Sequence, residues 1–152
     1  MRFVGAHQRG ASMPETAIVM AVILALLFSI IDFGRAMYTY AFVAQLARQG
    51  ARWAIVRGSQ CTLLDHCNAT QADIQTYVRT LSEGATNANN ITVTASWPPN
   101  QCASGQSGNA PGCVVSVTVN YPFSFMLPYL PRSQGAPLVM NMASTSQMVI
   151  SQ

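Results

Sequence analysis

The chain has 152 residues, half of them hydrophobic and only 9% charged, with a net charge of +3 carried by arginine alone among the strong cations. So small a charge, spread along the chain, excludes nucleic-acid binding driven by a basic surface. One apolar span leaves room for a single small soluble domain, and four cysteines, all after that span, point to an oxidising compartment for the later part of the chain.

Residues 1–10 read as a short basic leader containing Arg2 and Arg9. His7 stands alone in it and reads as a solvated side chain. Residues 16–31 then carry no charge, and Asp32 ends the run. Ten of these residues are Leu, Ile, Val or Phe. On the insertion scale they favour the bilayer by roughly 3 to 6 kcal/mol. A helix over residues 12–31 is about 30 Å long, the thickness of the hydrocarbon core. The run is apolar on every face, which argues against a core helix of a soluble domain. It ends in Phe28, Ser29, Ile30, Ile31 and Asp32, too bulky for a signal-peptidase site, so the sequence predicts that it is retained.

Glu15 has two readings. In one, Ser12 and Glu15 form a capping box, with Pro14 in the first turn where its missing N–H costs nothing. In the other, the chain is cut after Gly10. Ala11 then becomes the N-terminus, and its ammonium pairs with Glu15 of a neighbouring subunit inside the bilayer, where an unpaired acid is costly. Arginines flank the span on both sides (Arg2 and Arg9 against Arg35, Arg48 and Arg52), so the positive-inside count does not orient it. The cysteines place the C-terminal part outside.

The helix is predicted to continue past Asp32 to about residue 56. Phe33, Met37, Tyr40, Ala44, Ala47, Ala51 and Ala54 alternate at spacings of four and three, a heptad seam. Its upper part, Ala44 to Ala54, is expected to pack on the chain's own domain, and sibling helices are the other candidates for the seam. Gly34 and Gly50 each cost about 1 kcal/mol in a helix but allow close approach. Arg48 and Arg52 share a face that reads as solvated, the other candidates being acceptors such as Asp73, Glu83 or lipid phosphates just outside the membrane.

Residues 57–60 break the helix. Cys61, Asp65, His66 and Cys67 could be drawn as a metal site, but zinc sites show closer ligand pairs and a matching second pair. Of the three possible pairings, local disulfides Cys61–Cys67 and Cys102–Cys113 are preferred, each adding about 2 to 3 kcal/mol. An amphipathic helix is expected over 70–83, capped by Thr70, with a stripe of Ile74, Tyr77, Val78 and Leu81 and Gly84 at its C-cap. Ile91, Val93, Ala95 and Trp97 alternate as a strand, and Val115, Val117, Val119 and Tyr121 as a second one ended by Pro122. Residues 101–112 form a loop pinned by Cys102 and Cys113. Residues 123–137 are apolar and irregular, open to packing under the sheet, touching the bilayer or binding a partner. Residues 138–150 alternate as a third strand. The expected fold is α+β: a long N-terminal helix, transmembrane in its first half, packed on a small antiparallel sheet head with one additional helix. The expected domains are a leader at 1–10, the long helix at 11–57 with its transmembrane segment at about 12–31, and an extracytoplasmic head at 58–152.

No serine stands in a nucleophile motif, and no phosphate loop, dinucleotide fingerprint or paired-carboxylate motif appears. The chain therefore reads as a non-enzyme without cofactor or metal.

Three stretches carry a resemblance. They are Arg9-Gly10-Ala11-Ser12 with Glu15; Ile31-Asp32-Phe33-Gly34-Arg35-Ala36 with Tyr38; and Ala47-Arg48-Gln49-Gly50-Ala51-Arg52-Trp53-Ala54. Val117-Thr118-Val119 with Tyr121-Pro122-Phe123 adds a weaker one. Together they resemble the TadE-like family, the pseudopilins or minor pilins of the Tad (tight adherence) pilus. The chain departs from the family's usual text at Thr16 (Phe), Asp32 (Glu), Gln49 (Glu) and Trp53 (Tyr). The resemblance favours the cut between Gly10 and Ala11, made by a prepilin peptidase, with Glu15 registering subunits. It implies a bacterial inner-membrane, single-pass protein with its head periplasmic or extracellular. The implied partners are other pilin and pseudopilin subunits, the peptidase, an inner-membrane assembly platform and the lipid bilayer, with no nucleic acid. The alternative is an unprocessed membrane-anchored binding module that uses the 102–113 loop and the aromatic 123–130 stretch.

Overall fold

A computed structural model describes residues 12–83, 86–102, 105–106, 108–126 and 139–151. The expected α+β architecture is present: a long helix, a second helix and a three-stranded antiparallel sheet. Helix α1 spans Ser12–Ile55, 44 residues, or about 66 Å. Asp32 ends the uncharged run but not the helix, since nothing from Thr16 to Ile55 is a proline.

The two halves of α1 differ in what surrounds them. Residues 13–31 are almost wholly exposed and apolar, with Ile18, Leu26 and Ile30 each at least 60% exposed. In the upper half Val43, Leu46, Ala47, Ala51 and Ala54 are buried in the core. The seam therefore divides as its chemistry suggests. Its small residues Ala47, Ala51 and Ala54 meet the head, Ala44 is half-buried, and Phe33, Met37 and Tyr40 stay exposed.

Helix α2, Gln71–Ser82, starts on a complete capping box. The Thr70 hydroxyl accepts from the Asp73 N–H, and an Asp73 carboxylate oxygen accepts from the Thr70 N–H at 2.9 Å. Ile74, Val78 and Ser82 face the core; Tyr77 is half-buried and Leu81 lies exposed at the end of the stripe. The C-cap residue is Glu83, and Gly84 lies outside the described residues.

Strands β1 (Thr92–Ser96), β2 (Val114–Ser124) and β3 (Val139–Val149) form the sheet in the order β1-β2-β3. β2 is central, and its Val115, Val117 and Val119 are fully buried, with β2 packed against α1. It does not stop at Pro122, as expected, but runs on to Ser124. The register explains this. β1 begins at Thr92, opposite Asn120, so Pro122 has a partner only on the β3 side, Asn141. A residue without an N–H is tolerated where one edge of the strand is free.

The β2–β3 pair runs the length of the upper helix. Eleven strand residues and the helical stretch from Asp32 to Ile55 each cover about 34 Å. Both ends are pinned. At the top the Ser151 N–H donates to the Ile55 carbonyl at 3.0 Å. At the bottom the Met126 N–H donates to Asp32 Oδ2 at 2.9 Å.

Candidate assembly surface

The sequence-predicted site residues fall into three regions. The first is the lower end of α1. Glu15 lies in the first helical turn, where the helix dipole favours an acid, and is exposed. Gly10, Ala11 and the side chain of Ser12 lie outside the described residues, and with them the cut and the capping-box reading of Ser12. Within the apolar run, the Ser29 hydroxyl donates to the Ala25 carbonyl at 2.7 Å, which satisfies a polar group that lipid could not.

The second region is the foot of the head. The Asp32 side chain is only 4% exposed. One oxygen accepts from Arg35 Nη1 at 2.8 Å and the other from the Met126 N–H. Arg35 also lies over the Phe123 ring, 5.4 Å from its centroid, and its carbonyl accepts from the Thr39 hydroxyl at 2.8 Å. The Asp-Phe-Gly-Arg motif thus clamps α1 to the end of β2. The sequence reading gives Asp32 as the end of the apolar run and as part of a resemblance motif, without a bonding partner. The signal available was an acid three residues before an arginine at a membrane boundary, where a charge needs a partner.

The third region is the top of the head. Cys61 is bonded to Cys67 and Cys102 to Cys113. With both sulfurs of the 61–67 loop engaged, its four metal-capable residues do not form a ligand set. The Asp65 carbonyl accepts from Arg57 Nε at 2.9 Å, and His66 Nδ1 lies 3.2 Å from Asp73 Oδ1. Arg57 stacks on Trp53 at 4.2 Å, and Tyr77 stacks on the same indole at 5.1 Å. Asn109, between the bridged Cys102 and Cys113, ties the top together. Its amide nitrogen donates to the carbonyls of Arg57 (3.3 Å) and Ala69 (3.2 Å), and its oxygen accepts from Trp97 Nε1 at 3.2 Å. Nothing local in the sequence marks that residue. Among the described residues neither Arg48 nor Arg52 forms an ion pair, and both are exposed.

The family model described as TadE-like protein matches residues 10–52. Over those residues the chain is similar to that family. No curated protein and no solved structure matches the chain. The TadE-like stretch takes in Gly10, Glu15, the Asp32–Arg35 clamp and most of the seam. It ends at Arg52, so α2, the sheet and both disulfides lie outside it. The match falls on α1, a helix long and apolar enough to cross a membrane.

Proposed function

We propose that the chain is a structural pseudopilin or minor pilin of a Tad-type pilus. A prepilin peptidase cuts it between Gly10 and Ala11. Residues 11–31 hold it in the bacterial inner membrane, with the disulfide-tied head outside and other pilin subunits and an assembly platform as partners. Glu15 pairs with the new ammonium of a neighbour's Ala11 and sets the register between subunits. The chain performs no catalysis; its work is mechanical, by anchoring, packing and presenting the head.

One coincidence carries this reading. The family match covers the same residues as an exposed apolar helix of bilayer length with a single exposed acid in its first turn. Lipid and sibling helices account for such a surface; water does not. Intact-mass measurement on protein from its native host tests the proposal. The expected N-terminus is Ala11, and Glu15→Ala should insert normally but enter sheared surface fibres at a small fraction of the wild-type level. A chain that keeps Met1 in a host with an active peptidase, and stays monomeric in the membrane, would instead be the anchored binding module.

A further inference from the structure

We propose that the lower rim of the head, formed by Phe125, Met126 and Met140 beside Phe33 and Met37 of α1, is a second membrane contact that sits in the outer headgroup layer of the bilayer. The inference rests on the reading of α1 as a membrane anchor and adds to it where the head sits.

The first argument is height. A span over residues 12–31 fills the hydrocarbon core, so Asp32 stands one helical step beyond its edge. The Met126 N–H is hydrogen-bonded to the Asp32 carboxylate at 2.9 Å. A two-carbon side chain and one hydrogen bond hold Met126 within about 5 Å of that level. The strand pair matches α1 in length from Ile55 down to Asp32 and is pinned at both ends, so the head cannot ride higher without breaking one of the pins.

The second argument is the surface found at that height. Met126 is 73% exposed, Phe33 68%, Met37 55% and Met140 44%. Ser29, Phe33, Met37, Phe125 and Met140 line an apolar groove of about 540 Å³ between α1 and the strand ends. The groove begins at Ser29, below the boundary, and so is continuous with the lipid-facing side of the span. Apolar side chains set 5–10 Å into the boundary between headgroups and acyl chains are what an interfacial contact requires. Arg35, with 43% of its side chain exposed at the same level, can reach lipid phosphate. A sibling subunit could cover Phe33 and Met37, but the lining residue Ser29 lies within the span itself, which favours lipid.

Met126→Trp in the full chain, reconstituted in phosphatidylethanolamine–phosphatidylglycerol vesicles, tests this. Flotation after an alkaline wash first establishes the anchor. The emission added at position 126 is then expected to be blue-shifted, largely lost with lipids brominated near the headgroup end of the acyl chain, and little changed by aqueous iodide. Leu63→Trp, on the loop at the opposite end of the head, should show the reverse. Met140→Trp gives a second reading should Met126→Trp not fold. Protein that floats but whose residue 126 is quenched by iodide and not by bromolipid would overturn the rim contact and leave the anchor standing. Emission shielded from both quenchers would also overturn it, in favour of a protein partner. Failure to float would remove the anchor and the rim contact together.

Discussion

Asp73 receives three contacts at the first turn of α2: the Thr70 hydroxyl at 2.7 Å, the Thr70 N–H at 2.9 Å and His66 Nδ1 at 3.2 Å. The Thr70 side chain first, then its backbone N–H, and then His66 hold the carboxyl below its ordinary value of 3.8. The sign follows from linkage. The ionised form is favoured in the folded chain, so the contribution is fully present above pH 3.8 and is lost as pH falls through the lower folded value. Amide exchange in the first turn of α2 should accelerate on acidification below that point, and Asp73→Asn should flatten the acid dependence. An acid profile unchanged by that substitution would show that another group controls the turn. At this scale Thr70 was legible, since a hydroxyl residue before an amphipathic run is a local signal. Asn109 was not, because its partners Arg57 and Ala69 lie 52 and 40 residues away.

Among the elements, α1 shows how two identical residues in one helix differ in role. A Cβ at Gly50 would lie 2.9 Å from Val78 Cγ2 and 3.2 Å from Val117 Cγ1, whereas one at Gly34 would meet nothing within 4 Å. Overpacking costs about 1–3 kcal/mol, and replacing helical glycine by alanine returns about 1 kcal/mol. Gly50→Ala should therefore lower the thermal midpoint of the head, by about 1 kcal/mol in stability. Gly34→Ala should leave the isolated chain as stable or slightly more so. Equal midpoints for the two variants would mean that α1 and α2 do not pack as closely as described. The heptad spacing predicted the seam and gave its upper part, Ala44 to Ala54, to the head, as the burial of Ala47, Ala51 and Ala54 bears out; it did not give the height at which the head ends. That depends on how far down the strands reach.

In the molecule as a whole, the Asp32–Arg35–Met126 clamp holds the lower end of the strand pair, and the valine core holds the rest. Asp32→Ala removes the acceptor for both the Arg35 guanidinium and the Met126 amide. Each lost bond of this kind is worth about 1–3 kcal/mol locally. The hydrophobic core cluster starts at Val43 and includes none of Asp32, Arg35 and Met126. Amide exchange at the end of β2 should rise by an order of magnitude or more, a loss of about 1.4 kcal/mol or greater, while β1 stays protected. Unchanged protection at Met126 in that variant would mean that the clamp does not hold the foot.

Local pattern by itself determined the long helix, the capped second helix, the strands and the apolar length suited to a bilayer. Each is an effect of periodicity and end signals acting over a few residues, and the TadE-like stretch is likewise contiguous. Only the tertiary structure decided that β2 passes through Pro122, because the free edge there depends on where β1 begins. It alone decided that Asp32 receives the amide of a residue 94 positions away, and that Asn109 joins four segments. Long-range hydrogen bonds leave no periodic trace in a sequence; they follow from the matched lengths of helix and strand once the core has closed.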